Sequence, residues 1–243
     1  MPKAAKSTTQ TLLKSKSATS TAQAAGAATK KRTKDPKNSH LYTDDNPETT
    51  LHGTGFKDTE AAKHTIQLVS KRSLTYQFQT INTMYHRAKG HPHKTPGISG
   101  AMGVFNEWLK VTYPNAKKEL RAAGFKPVLS KETVAAYAPK CREVLDKKDL
   151  RFLDMYVDLA KNKRLANVLL DTKEPGEKDW EQERYDVLAD IVPEGKEEAK
   201  KWTGEELWDD AKQPTKEHLR FIAWGWSPVP GRTLAGRAKA LES

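Results

Sequence analysis

Apolar residues recur at helical spacing between positions 74 and 109, and this periodicity constrains the fold more than any other feature. The first stripe advances in steps of four, three, four and three residues through Leu74, Phe78, Ile81, Tyr85 and Ala88. The second stripe contains Ile98, Met102, Phe105 and Leu109, with Trp108 beside it. Steps of three and four place side chains on one face of an α-helix. A short polar loop joins the stripes, so the sequence predicts a helical hairpin whose apolar faces meet.

The rest of the chain predicts further short helices. Asp58 or Thr59 is a suitable N-cap for the helix before the hairpin, and Ser73 is a suitable N-cap for the first hairpin helix. Gly90 is suited to end that first hairpin helix. Pro114 is expected to stop the second hairpin helix, and Pro139 to end or kink the helix that contains it. Asp149 is a predicted N-cap. The later helical segments are predicted at 115–123, 131–146, 150–162, 164–170, 179–191, 195–202, 205–211 and 216–226.

No alternating strand pattern accompanies these helices, so the predicted fold class is all-α, with about eight to ten mostly short helices. Composition divides the chain into four parts. Residues 1–50 are rich in Lys, Ala, Ser and Thr, and lack the apolar area that would offset the entropy of ordering. We therefore expect a disordered basic tail there, a basic helical hairpin region at 51–126, a near-neutral Trp-rich region at 127–228 in the same body, and a flexible tail at 229–243.

The net charge of +11 is unevenly distributed. Residues 1–43 carry nine Lys or Arg against one acid, and residues 51–126 carry twelve against four. Residues 127–243 are nearly balanced, with twenty-one bases and twenty-three acids. A positive field of this kind attracts polyanions, although it does not choose among DNA, RNA, acidic proteins and anionic membranes.

Two groups of cations are candidate phosphate contacts. The tail group comprises Lys3, Lys6, Lys14, Lys16, Lys30, Lys31, Arg32 and Lys34. The group on the body lies at the hairpin loop and comprises Arg87, Lys89, His91, His93 and Lys94. The first backbone amides of the next helix, at 96–99, would add an anion-binding helix start. The alternative is a solvated turn whose cations complement the dipole of the preceding helix.

Aromatic side chains in the body offer two further candidate sites. Tyr76 and Tyr113 fall beside the apolar stripes and are candidates for stacking on unpaired bases. A peptide-binding groove is the second candidate, formed by Trp202, Trp208, Trp224 and Trp226. The alternative for the tryptophans is ordinary core packing, the usual place of a Trp in a short helix.

The sequence contains no motif typical of catalysis, cofactor binding or metal binding. There is no phosphate-binding loop, dinucleotide fingerprint, zinc-protease helix or nucleophile elbow. Cys141 has basic neighbours in sequence but no nearby His, and is expected to be a buried apolar residue. His86, His91 and His93 lack a neighbouring Cys or carboxylate to complete a zinc site. We predict no catalytic residues, no cofactor, no metal and no membrane insertion, because the apolar runs are too short to span a bilayer.

Two functions from different classes remain open. The first is sequence-independent binding of DNA or RNA by a non-enzymatic architectural or packaging protein. The alternative is a helical scaffold protein that binds a protein partner through a Trp-rich groove and carries a solubilising or targeting tail. The basic cluster at 30–34 has the density of a nuclear-localisation signal, which favours the nucleus or cytoplasm. An organelle, reached by a cleaved tail, and a virion are the other compartments considered.

Overall fold

A computed structural model describes residues 51–239 as a mostly helical body. Its α-helices are α1 (Thr59–Val69), α2 (Leu74–Gly90), α3 (Pro96–Glu107), α4 (Tyr113–Ala122), α5 (Lys131–Val144), α6 (Lys147–Asp158), α7 (Trp180–Ile191), α8 (Gly204–Leu207), α9 (Lys216–Ala223) and α10 (Gly231–Lys239). A π-turn spans Trp108–Thr112, and 3₁₀ turns span Leu165–Asn167 and Ala199–Lys201. Residues 51–239 contain isolated β-bridges but no strand, which confirms the all-α prediction. None of these helices is long and apolar enough to cross a membrane.

Helices α1, α2 and α3 form a bundle, and side-chain caps fix where each helix begins. Asp58, Ser73 and Thr95 are the N-caps, and each accepts a hydrogen bond from a backbone amide three residues ahead. The predicted hairpin of α2 and α3 is confirmed, and α1 packs against both helices. The core of this bundle comprises Leu51, Ala62, Val69, Ile81, Met84, Ala101, Phe105 and Trp108.

Helix α3 does not stop at Pro114, so that prediction is wrong. The chain passes through the π-turn into α4, where Pro114 occupies the first turn. Within the π-turn the amide of Tyr113 donates to the carbonyl of Trp108, five residues back. A proline in a regular α-helix removes one hydrogen bond and its ring clashes with the carbonyl four residues earlier. We attribute the continuation to the wider π-turn, whose extra residue displaces that carbonyl from the ring.

Residues 125–239 form a second part of the body, which we call the C-terminal lobe. One core cluster joins α5, α6, α9 and α10, and its fully buried members include Val134, Tyr137 and Leu153. A second cluster is rich in aromatic residues and its buried members include Phe152, Phe221 and five other aromatic residues. The predicted flexible tail at 229–243 is wrong for Gly231–Lys239, because these residues form α10 and pack on α5. Leu234 of α10 is fully buried and its carbonyl accepts a hydrogen bond from the Tyr137 hydroxyl.

Several predicted helices of the C-terminal lobe differ from those observed. The segments predicted at 164–170, 195–202 and 205–211 are each reduced to a single turn. Asp149 is not an N-cap, because Asp146 caps α6 and Asp149 lies buried in its first turn. There Asp149 Oδ2 pairs with Arg220 Nε at 2.8 Å. Pro139 lies inside α5 and does not end it.

A buried ion pair joins the bundle to the C-terminal lobe at the start of α2. Arg72 Nε lies 3.1 Å from Asp179 Oδ2, and both side chains are almost fully buried. The same oxygen accepts the amide and the hydroxyl of Ser73, each at 2.9 Å. The remaining guanidinium nitrogens of Arg72 donate to the carbonyls of Pro175 and Ala166. One carboxylate therefore caps α7, through the Gln182 amide, and also fixes the position of α2.

Candidate nucleic-acid interface

The candidate phosphate-binding turn lies at the end of the bundle farthest from this ion pair. We call this region the distal end, and define it as Lys57, residues 87–95, and Pro96 and Gly97 at the start of α3. Hydrogen bonds to the C-terminal lobe come from residues 71–75, at the opposite end of α2. Thr75 and Lys89 are separated by about 21 Å along the axis of α2 at 1.5 Å per residue.

Close packing of α1 against α3 forms the base of the distal end. A Cβ atom added to Gly97 would lie 2.7 Å from the carbonyl oxygen of Lys57, and one added to Gly100 would lie 2.7 Å from Thr59 Oγ1. Only glycine allows this approach, since real Cβ atoms do not sit so close to other heavy atoms. The ring of Phe56 then meets the imidazole of His91 edge-on at 6.1 Å. These contacts bring Lys57 to the same end of the bundle as the turn.

Lys89, His93 and Lys94 are exposed at this end of the bundle. None of the ion pairs among residues 51–239 involves any of the three. By contrast, Lys71 at the other end of the bundle pairs with Glu177. Unpaired exposed ammonium groups are available to an incoming anion, so the charge of the distal end is not cancelled by the acids of the C-terminal lobe.

Arg87 and His91 occupy less open positions than the lysines. Both are half-buried. The His91 ring turns back on its own loop, where Nδ1 lies 2.9 Å from the carbonyl oxygen of His93 and 3.2 Å from its amide nitrogen. His91 therefore shapes the turn, Lys89 and Lys94 are its exposed cations, and His93 is exposed beside them. Among residues 51–239 no group of three His, Cys, Asp or Glu side chains is arranged to hold a metal ion.

Most of the backbone amides expected to bind an anion at the start of α3 are already used or absent. Pro96 has no amide hydrogen, the Ile98 amide donates to Thr95 Oγ1, and the Ser99 amide donates to the Thr95 carbonyl. Side chains are therefore the main candidates for phosphate contacts at the distal end.

Comparison of the chain with protein-family models, curated proteins and solved structures gives no match. The functional interpretation of the interface accordingly depends on its own side chains. The tail cations Lys3, Lys6, Lys14, Lys16, Lys30, Lys31, Arg32 and Lys34 lie outside the described residues, and their predicted role stays a prediction.

The two tyrosines predicted to stack on bases are already engaged with protein side chains. The Arg72 guanidinium lies 3.6 Å from the centroid of the Tyr76 ring. The Tyr113 ring stacks on Phe78 with centroids 4.4 Å apart, and lies near Trp108 at 5.8 Å. Neither ring lies exposed at the distal end, so Tyr76 and Tyr113 do not form one site with the candidate phosphate-binding turn.

The four tryptophans do not form one open groove. Trp224 and Trp226 are almost fully buried in the aromatic core cluster, as the core-packing alternative predicts. Trp202 is half-buried, meets Phe221 edge-on and donates its indole N–H to the carbonyl of Lys196. Trp208 lies in the other cluster, under the Arg237 guanidinium at 4.0 Å. The scaffold hypothesis therefore loses the binding surface on which it was based.

Helix α4 carries a group of cations that the sequence analysis did not select. No residue of α4 is buried, and Lys118 and Arg121 on it, with Lys110 in the π-turn, are exposed. Lys117 is half-buried and lies 5.3 Å from the Tyr113 ring centroid. None of the four forms an ion pair within residues 51–239. The sequence did contain a signal for this group. Its basic residues are spaced by three, four and seven positions, and such spacing places side chains on one face of a helix.

Proposed function

We propose that this chain is a non-enzymatic protein that binds nucleic acids without sequence preference, in an architectural or packaging role. The observation that carries the proposal is that Lys89 and Lys94 are exposed at the distal end and form no ion pair with a carboxylate of residues 51–239. Lysines that neutralise phosphates release counterions, and this supplies affinity that is independent of sequence. The sign of this charge is also that of residues 1–43.

The secondary support is the position of the basic groups on the bundle. Lysines lie at its distal end and again along the π-turn and α4, at opposite ends of one continuous helical stretch. From Lys94 to Arg121 this stretch is about 40 Å long at 1.5 Å per residue. A duplex presents one phosphate charge per roughly 1.7 Å of axis, so basic groups spread over this length can each meet a phosphate.

Fluorescence anisotropy of a labelled random-sequence duplex, titrated with the full chain at several salt concentrations, tests the proposal. We expect salt-sensitive binding that is nearly the same for unrelated sequences. The variant Lys89→Gln/Lys94→Gln should reduce the slope of log K against log salt by about 2, because each phosphate contact contributes roughly 0.9.

The matched control is Lys147→Gln/Lys148→Gln, which removes the same charge from exposed positions at the start of α6, outside the bundle. This control should leave the slope nearly unchanged. Absence of salt-sensitive binding to DNA and to RNA would contradict the proposed function. Equal losses in the two double variants would show that net charge, and not the distal end, carries the affinity.

A further inference from the structure

A small cavity in the C-terminal lobe combines lysines, tyrosines and one carboxylate. Its volume is about 280 Å³, and its polar lining comprises Lys126, Lys131, Lys163, Tyr156, Tyr185 and Glu181. The lysines come from three separate segments: the loop before α5, the first residue of α5, and the loop after α6. Side chains from distant parts of the sequence therefore converge on one opening, which separates this cluster from a run of surface lysines.

The three lysines of the cavity have no acidic partner. None forms an ion pair with a carboxylate among residues 51–239. The Lys131 ammonium lies 5.9 Å from the Tyr156 ring centroid, and the Tyr156 hydroxyl is fixed by a 2.8 Å hydrogen bond to the Leu129 carbonyl. Glu132 is adjacent to Lys131 in sequence but does not line the cavity. Three lysines that line one opening give it a positive charge that attracts anions.

A buried guanidinium behind the cavity adds positive charge. Arg184 is fully buried, and its nitrogens donate to the carbonyls of Trp224, Phe125, Pro127 and Gly225 at 2.8 to 3.2 Å. These acceptors are neutral, so they satisfy the hydrogen bonds of the guanidinium without cancelling its charge. The Arg184 guanidinium lies 5.7 Å from the ring of Tyr185, which lines the cavity.

Glu181 is the one acidic residue in the lining of this cavity, and its two carboxylate oxygens differ in their hydrogen bonds. Oε1 accepts the Thr75 hydroxyl at 2.8 Å and the Tyr185 hydroxyl at 3.3 Å. Oε2 receives no hydrogen bond from any residue in 51–239, although the side chain lines the cavity. A carboxylate oxygen that receives no hydrogen bond from the protein can accept one from a hydroxyl group of a ligand.

We infer that this cavity binds a small sugar phosphate, with Lys126, Lys131 and Lys163 contacting the phosphate and Glu181 accepting a hydrogen bond from a sugar hydroxyl. The combination of cations with a single open carboxylate oxygen matches a ligand that has one anionic end and one hydroxyl-bearing end. The volume lies just below the roughly 300 to 1,000 Å³ of ordinary ligand pockets, which fits a pentose phosphate better than a dinucleotide.

The site is separate from the proposed nucleic-acid interface. Thr75, which bonds to Glu181, lies at the start of α2, and the distal end lies beyond the other end of that helix. The inference therefore goes beyond the proposed function and does not depend on it. The phosphate can be supplied by a free sugar phosphate or by the 5′-phosphorylated end of a strand, and the experiment distinguishes these sources.

Isothermal titration of the full chain with ribose 5-phosphate, inorganic phosphate and ribose tests the inference. We expect saturable binding of ribose 5-phosphate, weaker binding of inorganic phosphate and none of ribose. Lys131→Gln and Lys163→Gln should each raise the Kd for ribose 5-phosphate by about tenfold, the usual effect of losing one charge-assisted hydrogen bond. Glu181→Gln should weaken ribose 5-phosphate but not inorganic phosphate, because it replaces the open carboxylate oxygen and also removes a negative charge that repels the anion.

Lys147→Gln/Lys148→Gln is the matched control and should not alter the Kd for ribose 5-phosphate. A 5′-phosphorylated tetranucleotide that competes more strongly than ribose 5-phosphate, while its unphosphorylated form does not compete, would assign the phosphate to a strand end. Absence of saturable binding, or equal Kd values in the cavity variants and the control, would overturn the inference. These variants leave the distal end intact, so the salt slope for duplex DNA reports separately on the proposed function.

Discussion

At the scale of single residues, the buried polar side chains are the part of the structure that sequence alone could not predict. Arg72 and Asp179 are separated by more than a hundred positions, and nothing local indicates that they meet. The sequence does predict a helix beginning near Asp179, because the residue type and position suit a helix start. Its second role as the partner of Arg72 depends on tertiary packing alone.

Asp179→Asn should lower the free energy of unfolding by about 3 to 5 kcal/mol, because it leaves the Arg72 guanidinium buried without a counter-charge. Urea denaturation provides the measurement. Lys71→Ala is the matched control, since Lys71 is the neighbouring residue and its pair with Glu177 is exposed. That change should cost about 1 kcal/mol or less. A cost for Asp179→Asn no larger than that of the control would contradict the structural role of the buried pair.

His218 should make the fold sensitive to acid. Burial lowers the pKa of His218 to about 4, with a smaller contribution from Arg237, whereas a solvated histidine titrates near 6.5. Its ring nitrogens contact the Leu207 carbonyl at 3.0 Å and Ser227 Oγ at 2.9 Å. Below pH 6.5 the unfolded chain binds the proton more tightly, so stability is complete above that pH and falls as the pH drops toward 4.

The expected loss from this one group is about 3 kcal/mol, at 1.36 kcal/mol per pKa unit. The measurement is the free energy of unfolding from pH 7 to pH 4, in the natural protein and in His218→Gln. Other titrating groups contribute equally to both proteins, so the difference between the two curves reports the contribution of His218. The difference between the two curves should shrink as the pH falls. Parallel curves would mean that His218 does not titrate in this range.

At the scale of elements, local signals predicted where helices begin much better than where they end. Asp58, Ser73 and Thr215 are N-caps because a short side-chain oxygen reaches a free amide, and that contact is encoded within four residues. The helix end predicted at Pro114 was wrong, and Pro139 does not end α5. Whether a chain tolerates an internal proline depends on turn geometry and packing, which the local sequence does not specify.

The two internal prolines should respond differently to replacement. Pro139→Ala restores a hydrogen bond inside the regular helix α5 and should raise the free energy of unfolding, by up to about 3 kcal/mol. Pro114→Ala follows a π-turn that already accommodates the ring, so the change should stay within about 1 kcal/mol. Chemical denaturation of both variants is the measurement. A larger gain for Pro114→Ala than for Pro139→Ala would contradict our account of the π-turn.

At the scale of the whole molecule, apolar periodicity predicted the all-α class and residue counts showed the uneven charge, because both signals accumulate over many residues. Composition did not predict which end of the bundle carries the unpaired lysines. That outcome depends on Arg72 and Ser73 docking the opposite end of α2 on the C-terminal lobe. The sugar-phosphate cavity was missed for the same reason, since its lysines are brought together only by the packing of three segments.

Residues 1–43 and the body should contribute separately to the salt dependence of nucleic-acid binding. With nine bases and one acid, residues 1–43 have the charge for about eight phosphate contacts, which corresponds to a log-log slope near −7. Anisotropy titrations of the full chain and of a variant beginning at Asp44 should differ by about that amount. Identical slopes would show that these residues do not contact phosphates.

The π-turn between α3 and α4 also determines which side of the molecule α4 presents. An extra residue in a regular α-helix would turn everything after it by about 100°. The π-turn closes on the fifth residue instead of the fourth, so it takes up the extra residue within one wider turn and α4 continues close to the phase of α3. Straightening Trp108–Thr112 into a regular α-helix without deleting a residue would therefore rotate Lys118 and Arg121 by roughly that angle, and their charge would face a different direction.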